Sequence, residues 1–432
     1  MKYYSTNKQV PEVSFEKAIF QGLPDDNGLY MPKEIKQLPA EFFDNIHDMP
    51  LHEIAYQVAK CYIEDEIPEK ELREIVEGTL AFDLPLIEVE DNVYALELYH
   101  GPTCAFKDVG ARFLARCLSY FSRQSDKKAT ILVATSGDTG SAVASGFLGM
   151  KNINVVILYP KGKISKIQEQ QLTTLGENIT ACEVEGTFDD CQKMVKDAFL
   201  NLELKEKYNL TSANSINMAR LVPQSFYYFW TYAMLGEENE LAISVPSGNY
   251  GNLTAGLLAK KMGLPIKQFI ASTNANDIVP AYLKSGNFEP RQSVETISNA
   301  MDVGNPSNFY RMNDLFGADV ETFRKELIGY TYTDEETSGT IKKVYGETGY
   351  LLDPHGAVGY LGLKEYLKEN QAVGVFLETA HPAKFLDVVE SIIEEKVEIP
   401  QRLQDYIDRK KVAIGMNADL GQLEEVLKTI SI

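Results

Sequence analysis

From residue 93 onward, short runs of apolar and β-branched residues alternate with longer stretches in which apolar positions recur every three or four residues. The runs predict strands over 93–98, 131–134, 155–159, 179–184, 243–245, 269–272 and 373–377. The periodic stretches predict helices after Asp108, after Gly137, over 165–175, over 188–207 and through the aromatic segment that begins at Phe226. Strands separated by helices in this way give an α/β fold of open, mostly parallel sheets covered by helices. Residues 1–92 read as a mainly helical extension broken by Pro- and Gly-marked turns. Within it the charged stretch 64–71 reads as a solvated helix start. The acidic stretch 391–398 and the tail beyond it read as helices on the surface. The sequence shows no internal repeat.

Open parallel sheets bind ligands beyond the carboxyl ends of their strands, and three polar motifs fall there. Ser247-Gly248-Asn249-Tyr250-Gly251-Asn252 lies between a strand and a helix. Its glycines let backbone N–H groups approach an anion, and the helix start adds partial positive charge, so the turn suits a phosphate. It lacks the P-loop lysine and the full dinucleotide fingerprint, which argues against a nucleoside triphosphate or NAD. A tight connection with no ligand is the plain alternative. Thr135-Ser136-Gly137-Asp138-Thr139-Gly140 repeats the strand–turn–helix arrangement with hydroxyls that suit a carboxylate, or that simply cap the helix. In His100-Gly101-Pro102-Thr103-Cys104-Ala105-Phe106-Lys107-Asp108, one lysine sits amid small and apolar neighbours. A desolvated amine loses its proton more readily and can condense with an aldehyde, of which pyridoxal phosphate is the commonest. A solvated surface lysine is the competing reading.

Composition narrows the field. The chain has 432 residues, more than one core usually supports, so two or three domains are expected. Its formal net charge of −20 opposes binding to nucleic acid or anionic membranes, so a phosphate ligand must be held by local donors. Five cysteines without a CxxC pair fit a reducing cytoplasm rather than a disulfide framework, and Cys104 reads as a small buried side chain. The five histidines have no metal-ligand spacing, so no metal site is expected. No secretory signal and no membrane-spanning run is present in the sequence, so a soluble protein is expected.

The motifs also carry a resemblance. With Val13-Ser14-Phe15-Glu16-Lys17-Ala18, Gly28-Leu29-Tyr30-Met31-Pro32, Ile157-Leu158-Tyr159-Pro160-Lys161-Gly162-Lys163-Ile164-Ser165, Asn214-Ser215-Ile216-Asn217, Asn299-Ala300-Met301-Asp302-Val303-Gly304 and Thr379-Ala380-His381-Pro382-Ala383-Lys384-Phe385, they occur in an order that resembles the threonine synthases in their longer form. Where that form usually has Phe-Gly-Asp, this chain has Tyr250-Gly251-Asn252.

The resemblance implies a fold-type II pyridoxal phosphate enzyme, like the β subunit of tryptophan synthase. The expected divisions are an N-terminal domain over 1–92, a large cofactor domain from 93–127 and 226–432, and a smaller substrate-closing domain over 128–225. The implied reaction is that of a carbon–oxygen lyase. It releases phosphate from O-phospho-L-homoserine and adds water at Cβ to give threonine, in a cytoplasmic monomer or homodimer. Lys107 is then both the Schiff-base residue and the base. Gly248, Asn249, Tyr250, Gly251 and Asn252 hold the cofactor phosphate, and Thr379 meets the ring nitrogen. Ser136, Asp138 and Thr139 take the substrate carboxylate. Asn214, Ser215 and Arg220 take its phosphate, although a surface salt bridge would explain Arg220 equally well. A threonine or serine dehydratase shares the lysine and the phosphate turn but needs no such grip. A catalytically silent binding protein remains the reading from another class.

Overall fold

The computed structural model describes residues 1–125, 128–236 and 239–430. Contacts divide the chain into two compact units. One comprises Met1, Met31–Gly101 and Leu221–Glu398, the other Lys2–Tyr30, Pro102–Arg220 and Ile399–Ile432.

The first unit is built on six strands in the order Leu327–Thr331, Gln268–Thr273, Leu241–Pro246, Val373–Glu378, Val93–Glu97 and Leu86–Glu90. Neighbours are parallel except for the antiparallel last pair. Every residue of Leu241–Pro246 is buried, as a central strand covered on both faces requires. The helix Pro354–Leu367 lies over it, with the Ser244 hydroxyl donating to the Gly359 carbonyl at 2.6 Å. In the N-terminal region, Leu51–Ile63 buries Ile54, Ala55, Val58, Ala59 and Tyr62 on one stripe. The Phe42 ring meets Phe229 edge-on at 6.0 Å, and Trp230 Nε1 donates to the Leu84 carbonyl at 2.9 Å.

The second unit carries five strands, all parallel, in the order Ile414–Asn417, Ile179–Glu185, Ile153–Pro160, Ala129–Ala134 and Leu210–Ser212. The helix Lys107–Ser125 packs against Asp138–Phe147, where a Cβ on Gly146 would stand 3.2 Å from the Ala111 backbone. The first residues of the chain join this unit, and Asn217 Nδ2 donates to the Ile19 carbonyl at 2.8 Å. The two-part division thus shares 1–92 between both units and places 102–125 and 399–430 with the second sheet. The three-part boundaries expected from the sequence are a proposal about domains.

Two sequence expectations are corrected. The helix over 188–207 breaks into Phe188–Leu200 and Leu202–Lys207, because the Asn201 side chain accepts from the Leu204 amide and caps a new start. The C-terminal tail is not helical throughout. Its Ile414–Asn417 forms an edge strand with three of its four residues exposed, which leaves no apolar run to read.

Candidate active site

In the second unit, Lys107 opens its helix behind a loop held by side chains. The Asp108 carboxylate accepts from the Thr103 amide at 2.8 Å and the Thr103 hydroxyl at 2.6 Å, while Gln171 Nε2 donates to the Thr103 carbonyl at 3.1 Å. Asp108 is buried and Lys107 half-buried, with its amine 5.5 Å from the Phe106 ring centroid. The chain therefore offers an amine at a helix start with a partly desolvated stem, rather than a lysine loose on the surface.

The turn after Ala129–Ala134 and the turn after Leu210–Ser212 leave the same end of adjacent parallel strands, paired Leu132 to Ser212. In the first, the Thr135 hydroxyl accepts from the Gly137 and Gly140 amides at 2.9 and 2.8 Å. Gly137 has φ +132°, and a side chain there would run into the Gln168 amide. Asp138 is buried, and Gln168 Nε2 donates to its carboxylate at 3.0 Å, while Ser136 and Thr139 are partly exposed. A buried carboxylate repels another carboxylate, so Asp138 can serve such a ligand only through its amide.

In the second turn, Arg220 is 3% exposed and Nη1 donates to the Ala213 carbonyl at 2.5 Å. Burial excludes the surface salt bridge. Its guanidinium crosses the lysine helix at Gly110, where a Cβ would stand 2.9 Å from Nε, one turn beyond Lys107. Asn214 Oδ1 is buried and has no hydrogen-bond partner among the described residues, and Ser215 is half-buried beside it. This unit therefore gathers Lys107, Arg220, Asn214 and Ser215 with the Ser136–Thr139 turn. Lys163 is exposed.

In the first unit, the turn 247–252 is braced on every side. Tyr250 adopts the left-handed conformation, φ +60°, which points the chain into the helix Gly251–Lys261. A Cβ on Gly248 would stand 2.6 Å from the Met301 Cα, so only glycine fits. Asn249 Oδ1 accepts from the Ser307 amide at 2.6 Å, and its carbonyl accepts from Asn308 Nδ2 at 3.0 Å. The Tyr228 hydroxyl donates to Asn252 Oδ1 at 2.7 Å, which turns the amide so that Nδ2 is the free end. That Nδ2 and the Tyr250 hydroxyl are buried without hydrogen-bond partners among the described residues. Burial, reinforced by Asp277, holds the Tyr250 hydroxyl well above the usual range and so protonated. Backbone amides at a helix start and an orphaned amide donor fit a cofactor phosphate and the polar edge of its ring.

Thr379 follows Val373–Glu378, the neighbour of the strand that feeds this turn, and is 7% exposed. The residue before it was not singled out from the sequence. Glu378 is fully buried and lies against Gly356, where a Cβ would overlap its carboxyl group. Desolvation and the charge of Asp353 push its carboxyl well above the usual carboxylate range, and neither of its oxygens has a hydrogen-bond partner among the described residues. Asp353 is opposed by burial but is held low by His355, whose Nδ1 lies 2.5 Å from Oδ1. His355 Nε2 accepts from the Ala300 amide at 3.2 Å, which places the ring proton on Nδ1. The chain of groups therefore ends on the 299–302 turn that backs Gly248. On its far side, Asp302 Oδ1 accepts from Asn274, Asn276 and Thr296 at 2.9, 3.0 and 2.7 Å. A further cluster joins Glu97 to His100 at 2.7 Å and to Tyr350 at 2.9 Å. Asp353-Pro354 carries a helix-start signal, but the role of the buried acids depends on neighbours distant in sequence.

Comparison with known proteins decides the family. A model described as threonine synthase N terminus matches residues 2–80, one for pyridoxal-phosphate dependent enzymes matches 74–378, and one for the threonine synthase C-terminal region matches 356–427. Threonine synthase from Haemophilus influenzae is 46% identical over 99% of both chains. The chain belongs to the threonine synthase family. The crystal structure of threonine synthase from Escherichia coli superposes with a TM-score of 0.94 at 43% identity, covering all of both chains. A pyridoxal-phosphate-bound threonine synthase from Brucella melitensis gives 0.94 at 38% identity, covering all of this chain and 99% of the other. Membership makes this a fold-type II, pyridoxal-phosphate-dependent lyase. Among the described residues no helix is long and apolar enough to cross a membrane, and no cluster of three or more His, Cys, Asp or Glu is placed to hold a metal.

Proposed function

We propose that the chain converts O-phospho-L-homoserine and water into L-threonine and inorganic phosphate, with Lys107 as its base. The observation that carries the reading is Arg220. It is a buried guanidinium one turn along the helix that Lys107 opens. A guanidinium matches the planar fork that a phosphate oxygen pair presents, and the hydroxyl of Ser215 and the amide of Asn214 complete the shell. A dehydratase acting on an unphosphorylated hydroxy amino acid has no use for that cation.

Lys107 would hold the cofactor through Nζ and, once displaced by the substrate amine, take and return protons at Cα and Cβ. Gly248, Asn249, Tyr250 and Gly251 would hold the cofactor phosphate with their amides, Asn252 would turn Nδ2 toward the ring oxygen, and Thr379 would meet the ring nitrogen. A hydroxyl there would leave that nitrogen largely unprotonated. Bound pyridoxal phosphate supplies the electron sink that makes a proton at Cα removable. Ser136, Thr139 and the Asp138 amide would hold the substrate carboxylate. Phosphate leaves from Cγ and water adds at Cβ, with Arg220 keeping the departing anion in place. Incubation of the holoenzyme with O-phosphohomoserine should release threonine and phosphate in equal amounts. Formation of a keto acid and ammonia instead would assign the chain to the dehydratases.

A further inference from the structure

The tail beyond residue 398 reaches the loop that presents the lysine. Within the second unit the helix Gln401–Ile407 sends Arg402 to Cys104, and Nε donates to Sγ at 3.0 Å. Cys104 is fully buried and carries φ +56°. That left-handed conformation is disfavoured for a residue with a Cβ and persists only where the surroundings over-determine it. It is also the kink that turns the chain from the 100–103 segment into the first turn of the lysine helix, three residues before Lys107. Tyr406 lies one turn along from Arg402 on the same helix face. The helix is itself fixed: Leu403 is fully buried, Lys411 bonds Glu169 at 2.7 Å and Glu183 at 2.5 Å, and the Val412 amide donates to the Thr173 carbonyl at 2.8 Å. Gln171, which holds the Thr103 carbonyl, belongs to the helix Lys166–Thr173 that these contacts secure.

We infer that Arg402 is a positioning residue for the reaction, gripping the Cys104 kink so that the Lys107 amine is presented at a fixed place. The inference rests on Lys107 being the base. Proton transfer at carbon tolerates little displacement of the base, so a loosened kink should slow turnover while leaving ligand binding largely intact.

The test uses the full-length holoenzyme with Arg402→Met, and Arg402→Gln should the first not fold. Turnover kcat should fall by about 10–100-fold, with the KM for O-phosphohomoserine and the pyridoxal phosphate Kd changed by less than about threefold. In the cofactor-free protein, amide exchange should quicken at 103–107 and stay unchanged in the helix Asp138–Phe147. Cys104→Gly removes both the sulfur and the disfavoured backbone, so in that background Arg402→Met should have little further effect. Turnover within about threefold of the parent, unchanged exchange at 103–107, or additive losses in the double variant each overturn the inference. Borohydride fixation of the parent followed by peptide mapping separates the two claims. An adduct on Lys107 with a silent Arg402 variant rejects only the clamp, whereas an adduct on another lysine rejects both.

Discussion

At the scale of single residues, the amine at position 107 and the buried acid at 378 make different demands. Lys107 is half-buried at a helix start, so Lys107→Ala removes an amine and no core packing. The variant should fold with an unchanged far-ultraviolet spectrum, lose turnover entirely and take up no cofactor tritium label on borotritide reduction. Arg220→Ala should raise KM by about tenfold or more, because the proposed charge-assisted grip on the substrate phosphate would be lost, and leave the cofactor Kd near the parent value. An equal loss in both constants would make Arg220 a structural residue. Burial and the charge of Asp353 hold the Glu378 carboxyl well above the ordinary carboxylate range in the folded state, whereas it ionises near that range when unfolded. The folded chain therefore binds more protons than the unfolded chain above about pH 4.3, and this group's stabilisation is lost progressively as pH rises. Glu378→Gln keeps a neutral side chain of the same shape and removes the titration. Its melting temperature should fall less steeply than the parent's between about pH 5 and 9. Parallel curves would show that Glu378 is ionised in the fold.

Elements bring residues into range, and two helix starts show how little slack they have. The amides of Gly137 and Gly140 both end on the Thr135 hydroxyl. Thr135→Val keeps the shape and leaves two buried donors without that acceptor, a cost of about 1–3 kcal/mol per donor in chemical unfolding. At the other start, Gly248 touches the Met301 backbone at its missing Cβ. Gly248→Ala must push apart the turn and the 299–302 segment, and should lower pyridoxal phosphate affinity at least about tenfold, with a smaller change in stability without cofactor. Equilibrium dialysis of parent and variant decides it. The strand–turn–helix order of both starts was legible because glycine and hydroxyl residues punctuate apolar runs. The break at Asn201 and the exposed strand Ile414–Asn417 were not, since a cap inside an amphipathic stretch and a polar edge strand leave no periodic trace.

Over the whole molecule, two mostly parallel sheets supply the strand ends, and the excess of acidic residues means that an anion must be held by local donors. Cofactor binding should couple to unfolding of the chain. Pyridoxal phosphate at about 100 times its Kd adds about 2.7 kcal/mol to the holoprotein, visible as a higher melting temperature. A protein whose melting is indifferent to the cofactor would contradict the fit of the turn 247–252.

The sequence alone determined the class of fold and the family, and it singled out one lysine and one glycine turn as candidates, because each of these is written locally: in strand periods, in glycines at a helix start, in one amine among small residues. Tertiary structure decided what those residues can do. It buried Arg220, desolvated Glu378 beside the charge of Asp353, and brought Arg402 from the tail to Cys104. Desolvation and hydrogen-bond partnership between residues far apart in the chain are properties of packing, and no local pattern encodes them.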